Sequence, residues 1–176
     1  MSEFETHAFA PPAMTARGRA WKFGDFVDVE EMCMTRHFAL PPDQLRLHVF
    51  ERLRPDFGQN VSPGDLVVGG RAFGCGHGHD HANVALKTTG VAGIIATSFG
   101  SQFYRHAVDH AMPLITCPEA VAGIEEGHEI DADFDTGAVV NLTTGERWQG
   151  TPMRGLAMEI LKVGGLVPYV RGLVHV

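Results

Sequence analysis

Residues 65–116 alternate between short apolar runs and helical patterns, and this alternation constrains the fold more than any other feature. The apolar runs lie at 65–69, 91–96 and 114–116, and the helical patterns at 80–89 and 102–110. Gly90 is the expected stop of the first helix, and Ser98 is an N-cap candidate for the second. Parallel strands joined by crossover helices produce this order of segments. We therefore expect an α/β fold with a mostly parallel sheet or half-barrel and flanking helices.

The remaining segments predict smaller elements around this core. Residues 1–17 are polar with Pro and small residues, which is typical of a flexible N-terminal tail, and we expect residues 18–176 to form a single domain. The expected elements are a strand at 19–23, a helix bearing Leu45, Val49 and Leu53 before Pro55, a C-terminal β-hairpin region at 129–135 and 138–142, and a closing helix at 156–163. Residues 26–40 have no clean period and indicate a long loop, which often carries function.

Charge and cysteine content exclude several classes of protein. The chain has 14 basic and 21 acidic side chains and a formal net charge of −7, which argues against a nucleic-acid partner. Its longest nearly apolar run, residues 90–96, is far shorter than the roughly 20 residues that span a bilayer. No signal-peptide pattern is visible, so we expect a cytoplasmic protein. Three widely spaced cysteines without a CxxC pair indicate reduced thiols.

The strongest local motif is the run FGCGHGHDH at residues 73–81. Its glycines permit backbone conformations that are closed to other residues, and the helix that follows aims free N–H groups at an anion. Three interpretations stay open at this stage. The glycines serve only to make a turn, the loop binds an anionic ligand, or His77, His79 and His81 bind a metal ion. Cys75 has the position for a lowered pKa, but no paired base is evident.

Three further stretches, in order and spacing, accompany this motif. The run GRAWKFGD at 18–25 resembles an opening strand, residues 28–36 lie over a "DTDxIIPxR" stretch, and residues 64–76 resemble the strand that leads into an "FGCGSSRE" loop. Together with matching runs up to residue 170, they identify the chain as a member of the isopropylmalate isomerase (3-isopropylmalate dehydratase) small-subunit family, which is equivalent to the swivel domain of aconitase. The resemblance implies a swivel-type α/β fold.

The resemblance also implies a division of labour between two subunits. In this family the large subunit holds a [4Fe-4S] cluster whose open iron binds the substrate, and the small subunit closes over it. A serine of the "SSRE" loop removes the proton next to a carboxylate, and the adjacent arginine holds a carboxylate. We therefore expect an iron–sulfur large subunit as the partner, no cofactor on this chain, and a hydroxy-di- or tricarboxylate substrate.

The sequence departs from the family at the residues that carry this chemistry. The serine position is His77, which we expect to be the catalytic base because imidazole accepts a proton near neutral pH. The arginine position is His79, which lacks the permanent charge and the bidentate fork of Arg. By the same resemblance, Gly76 and Gly78 flank the substrate. We expect no metal ligand in this set.

The second expected contact region is the long loop. Arg36 stands at the family's arginine, although a loop arginine often faces only water. Beyond it, His37 and Phe38 begin the segment that selects the substrate's side group in the family, and Phe38 and Leu40 would suit an apolar or aromatic group.

The sequence therefore predicts the small subunit of an aconitase-type hydro-lyase, active only with its large subunit. Two other functions stay open. One is a non-catalytic partner-binding subunit that has lost the family's Ser and Arg, and the other is a His-metal protein that uses residues 77, 79 and 81.

Overall fold

The computed structural model describes residues 10–77 and 80–174, and within them the strands form one mixed eight-stranded sheet. The strands are β1 (Thr15–Lys22), β2 (Leu66–Gly69), β3 (Gly93–Ala96), β4 (Leu114–Thr116), β5 (Glu129–Asp133), β6 (Ala138–Asn141), β7 (Arg147–Gln149) and β8 (Thr151–Pro152). The α-helices are α1 (Val29–Met32), α2 (Pro42–Leu45), α3 (Phe57–Asn60), α4 (His81–Thr89), α5 (Ser101–Asp109), α6 (Pro118–Gly123), α7 (Leu156–Lys162) and α8 (Leu166–Val174).

The strand order is β7-β6-β5-β1-β2-β3-β4-β8. Strands β1 to β4 are parallel to one another, whereas the remaining pairings of the described strands, β1 with β5 and β4 with β8 included, are antiparallel. The α/β class is thus confirmed, but the expectation of a mostly parallel sheet holds only for its centre. The C-terminal third of the chain adds β5 to β8 to both edges, and the sequence predicted only the hairpin among these additions.

Alternation along the central strands divides their side chains between two apolar layers. Trp21, Val67 and Ile94 face one layer, together with α4 residues such as Leu86. Leu66, Val68 and Ile95 face the other layer, which is closed by residues of α6 and β5. Strands buried on both faces read as continuous apolar runs, which is why the sequence located β2, β3 and β4 well.

The helices that follow β2 and β3 begin and end close to their predicted positions. Helix α4 ends at Gly90, whose φ of 82° confirms the left-handed stop. Helix α5 begins one residue before the predicted range, and its N-cap is Gly100. Ser98 is therefore not the cap; its Oγ instead accepts a hydrogen bond from the Ala72 N–H at 2.8 Å.

The N-terminal boundary lies earlier than the sequence predicted. Strand β1 begins at Thr15, so residues 15–17 belong to the sheet and not to a tail, because they pair with β5 from Thr15 to Arg19. Residues 1–9 of the expected tail lie outside the described residues. The assignment of the rest of the chain to a single domain stays a prediction.

The connection from β1 to β2 contains more helical structure than expected. The loop at 26–40 includes α1 and a 3-10 helix at Thr35–His37, and the helix expected before Pro55 is only α2 followed by a 3-10 helix at Arg46–His48. Val49 is extended, and Phe50 turns with a φ of 55° so that its N–H bonds Met32 O. That tertiary contact ends the helix before Leu53.

The hairpin of β5 and β6 and the helix α7 confirm the predictions for the C-terminal region. Helices α6 and α8 and strands β7 and β8 were not predicted, since most of them are short and one begins at a proline. Among the described residues, no helix is both long and apolar enough to cross a membrane.

Candidate active site

The glycine-rich loop lies between the connections that follow β1 and β3. On one side, Gly74 N–H and Cys75 N–H donate to Val27 O, and Val29 N–H donates to Cys75 O at 3.0 Å. On the other side, Phe73 N–H donates to Ser98 O and Gly100 N–H donates to Phe73 O, each at 2.9 Å. The segments that follow β1, β2 and β3 therefore lie side by side in the same order as the strands themselves. They lie beyond the carboxyl ends of the parallel strands, where α/β sheets commonly bind ligands.

Two of the loop glycines are required by their conformation and their surroundings. Gly74 has a φ of 77°, and a Cβ there would collide with the buried ring of Phe103. Gly76 has a φ of 92°, and a Cβ there would collide with the carboxylate of Asp28. Asp28 is itself fixed, because its Oδ1 accepts from Glu30 N–H at 2.8 Å as the N-cap of α1. The glycines therefore do more than make a turn, because they let the loop pack closely against Phe103 on one side and Asp28 on the other.

His77 lies exposed at the end of this loop and lines an open pocket of about 510 Å³. The pocket is shared with Gly76 and with Ser101 and Gln102, which begin α5. The N-terminus of a helix carries partial positive charge and favours an anion. Gly76 and His77, two of the residues proposed from the sequence, both line this pocket, whereas Gly78 and His79 lie outside the described residues.

Cys75 does not have the character of a nucleophile. Burial raises the pKa of its thiol, and the nearby Asp28 carboxylate raises it further. Its Sγ donates to Phe26 O at 3.3 Å. The lowered pKa that the sequence allowed for Cys75 is therefore wrong.

The side chain of His81 is buried in the protein interior and does not lie on the surface of the loop. Its side chain is 3% exposed, and its Nε2 lies 2.7 Å from Cys33 O. The ring of Phe38 meets it edge-on, with the centroids 5.9 Å apart. This geometry argues against the metal site of His77, His79 and His81, because the buried His81 Nε2 is already engaged with a main-chain carbonyl. Phe38 thus contacts the base of α4 instead of lining the pocket of His77.

Arg36 and His37 are held in a different place from His77. Arg36 donates from Nε to His37 Nε2 at 3.1 Å, and its Nη2 lies 3.3 Å from Glu51 Oε1. Arg36 and Glu51 line a second open pocket of about 790 Å³, together with His48. Within the described residues, none of the lining is shared by the two pockets.

Sequence reasoning missed Glu51 and His48 in this second group. Partial burial raises the pKa of Glu51, but hydrogen bonds from His48 and His37 outweigh it and leave the pKa below its usual value. The spacing of His48 and Glu51, three residues apart, was the available signal, but it carries little meaning without the tertiary contact to His37.

The three cysteines do not form a set that fits an iron–sulfur cluster. Cys33 and Cys117 are buried in opposite apolar layers, and Cys75 lies in the glycine loop. Burial raises the pKa of Cys33 to about 12, whereas cluster ligands are thiolates. A cluster bound by the cysteines of this chain alone does not fit this arrangement.

Comparisons with known proteins identify the family. The isopropylmalate/citramalate isomerase small subunit of Methanocaldococcus jannaschii is 41% identical over 88% of this chain and 93% of that protein. The 3-isopropylmalate dehydratase small subunit of Methanosarcina mazei is 42% identical over 90% of this chain and 98% of that protein. This chain belongs to the family of 3-isopropylmalate dehydratase small subunits. It is therefore a small subunit of an aconitase-family hydro-lyase, as its motifs implied.

Three further matches agree with this family. The model of the aconitase C-terminal domain matches residues 57–119, which include β2, the glycine loop and β4. The crystal structure of 3-isopropylmalate dehydratase from M. jannaschii has a TM-score of 0.86 and 32% identity, covering 92% of this chain and 98% of that chain. The 2,3-dimethylmalate dehydratase small subunit of Eubacterium barkeri is 37% identical over 89% of this chain and 97% of that protein. The name "small subunit" implies a large-subunit partner.

Proposed function

We propose that this chain acts with an iron–sulfur large subunit on an alkyl-substituted 2-hydroxy dicarboxylate. The named relatives act on isopropylmalate, citramalate or 2,3-dimethylmalate, and all of these are malate derivatives with apolar substituents. The observation that carries the proposal is the exposed His77 in a loop that the backbone fixes at the carboxyl ends of the parallel strands.

His77 is the proposed catalytic base. It stands at the position of the family's serine, and its ring is accessible in a pocket wide enough for a small diacid. A positioned base contributes typically 10²- to 10⁴-fold to a proton transfer. Imidazole accepts a proton near neutral pH, whereas a serine hydroxyl needs strong activation to do so.

The other proposed substrate contacts fall into two groups. Gly76 and Gly78 let the substrate approach the backbone closely, and His79 replaces the family's arginine at the substrate carboxylate. Arg36, His37 and Phe38 form a second group, which the structure holds on Glu51 and His81. For this group to meet the same substrate, it must act across the interface with the large subunit or on a distant part of the ligand, because its pocket is separate from that of His77.

The reaction that this arrangement supports is a reversible dehydration. His77 takes a proton from the carbon next to a carboxylate, the electron pair forms the carbon–carbon double bond, and the hydroxyl on the neighbouring carbon leaves as hydroxide with the electrons of its C–O bond. The proton held by His77 and this hydroxide together make up the one water that the substrate loses. Addition of water to the alkene diacid in the opposite sense gives the isomer. The partner's [4Fe-4S] cluster, when bound, supplies a Lewis acid for the substrate's hydroxyl group.

The test is the purified complex with the large subunit from the same organism. Isopropylmalate, citramalate, 2,3-dimethylmalate and citrate are offered separately, and the conjugated alkene product is followed by ultraviolet absorbance. We expect turnover of at least one alkyl malate and little turnover of citrate. A stable complex that turns over none of the four acids would contradict the proposal and favour the non-catalytic subunit.

A further inference from the structure

A cluster of metal-ligating side chains lies apart from the glycine loop. His37 Nε2 is 2.9 Å from Glu51 Oε1, and His48 Nδ1 is 2.5 Å from Glu51 Oε2. The two imidazole rings stack with their centroids 3.9 Å apart and an interplanar angle of 8°. One donor atom from each of the three residues can be chosen so that all lie within 4.8 Å of one another. This convergence joins the 3-10 helix at Thr35–His37 to the one at Arg46–His48.

His37 Nε2 lies within hydrogen-bond distance of both a donor, Arg36 Nε, and an acceptor, Glu51 Oε1. Arg36 Nε can only donate, so its 3.1 Å bond to His37 Nε2 requires a lone pair on that nitrogen. A proton on the same nitrogen would satisfy Glu51 Oε1, 2.9 Å away, but would leave no lone pair for Arg36 Nε, so this nitrogen cannot satisfy both neighbours. A cation shared by these atoms resolves the conflict.

We propose that His37, His48 and Glu51 bind a divalent transition-metal ion such as Zn²⁺. Two imidazole nitrogens and one carboxylate form a donor set that zinc uses where it keeps an open coordination position. Metal–ligand bonds of about 2.0–2.2 Å place tetrahedral ligand atoms roughly 3.3 Å apart. The observed separations, from 2.5 Å to at most 4.8 Å, bracket that distance.

The open coordination position faces solvent. His48 and Glu51 line the second pocket, which gives a water molecule or an anionic ligand direct access to the ion. The side chain of Arg36 is 69% exposed and is free to swing away from a bound cation. Because each imidazole lone pair lies in its ring plane, one ion bound by both nitrogens tilts the rings out of their parallel stack. The bound ion ties together the two 3-10 helices and fixes the segment that carries Arg36 and Phe38.

The test is metal binding by the full chain, and it does not depend on the proposed hydro-lyase activity. The chain is stripped with a chelator and titrated with Zn²⁺ by calorimetry, and Co²⁺ is used as an optical probe of tetrahedral geometry. We expect one equivalent to bind. His48→Ala and Glu51→Gln each remove a ligand, so the dissociation constant should rise by more than the roughly 10- to 100-fold that loss of an outer-shell partner costs.

Two variants test where the ion binds. His77→Ala removes an exposed imidazole of the glycine loop and should leave Zn²⁺ binding unchanged. Glu51→Gln keeps the size of the side chain, and circular dichroism of each variant shows whether it has folded. Absence of binding to the wild type, unchanged binding by folded Glu51→Gln, or loss of binding in His77→Ala would each overturn the proposed site.

Discussion

The pocket of His77 and the pocket of Arg36 are built in different ways. The first is assembled from three connections, those that follow β1, β2 and β3, and main-chain hydrogen bonds hold them together. The second lies within the single connection from β1 to β2, and side-chain contacts of Arg36, His37 and His48 with Glu51 hold it. Main-chain contacts tolerate changes of side chain, whereas an ionic cluster is lost with one residue.

This difference explains where the chain departs from its family. The loop at residues 73–76 keeps the family's FGCG sequence, because Gly74 and Gly76 satisfy fixed backbone conformations. The positions that follow, His77 and His79, are replaced, since an exposed side chain such as that of His77 can change without disturbing the loop. A pocket built on the main chain therefore preserves its shape while its chemistry diverges.

Gly74→Ala is the change that should most strongly break the first pocket. It places a Cβ at a φ of 77° against the buried Phe103 ring, so strain and overpacking together should lower the free energy of unfolding by about 3 kcal/mol. Hydro-lyase activity of the complex should fall with it. Chemical denaturation and turnover provide the measurements.

Gly127→Ala is the matched control for this effect. Its φ of 81° is similar, but a Cβ there meets nothing within 4 Å, so only the conformational strain of about 1 kcal/mol remains. Equal destabilisation by the two variants would show that packing against Phe103 does not hold the loop.

Glu51→Gln should weaken the second pocket by a smaller amount. With a chelator present, the loss of the partly exposed ion pair to Arg36 and the weakening of the hydrogen bonds with His37 and His48 should cost about 1 kcal/mol of unfolding free energy. Denaturation at neutral pH measures this cost. A loss as large as that of Gly74→Ala would mean that the ionic cluster is as important to the fold as the main-chain contacts.

The smallest expected effect is on the reactivity of the Cys75 thiol, which reports on packing within the glycine loop. Since burial and then Asp28 raise the pKa of its thiol, the thiolate fraction at neutral pH should be lower than that of an unstructured cysteine. Alkylation by iodoacetamide, located by mass spectrometry, should therefore be slow at pH 7 and accelerate as the pH rises above 9. Rapid alkylation of Cys75 at pH 7 would contradict the packing described for the loop.

Local patterns located the centre of the fold but not its edges. Strands β2 to β4 are continuous apolar runs, and α4 has a left-handed glycine stop, so both were visible in the sequence. Strand β8 has two residues, and its pairing with β4 depends on a contact between distant parts of the chain. The early end of the helix after Pro42 has the same origin, since Phe50 bonds to Met32.

The candidate site also has one part that the sequence predicted and one part that it did not. The resemblance of residues 64–76 to the family predicted the loop of His77, and the structure places that loop beside α5. The cluster on Glu51 could not be predicted, because His37 and His48 are brought together only by the fold.

The most direct test of the account is the turnover number of the complex that carries His77→Ala. His77 is exposed, so the variant should fold and bind the large subunit as the wild type does. We expect kcat on the preferred alkyl malate to fall by about 10²-fold or more. The control is His128→Asn, which changes a histidine immediately before β5 that does not line the pocket of His77, and it should leave kcat unchanged. An intact complex of His77→Ala with wild-type kcat would show that His77 is not the base.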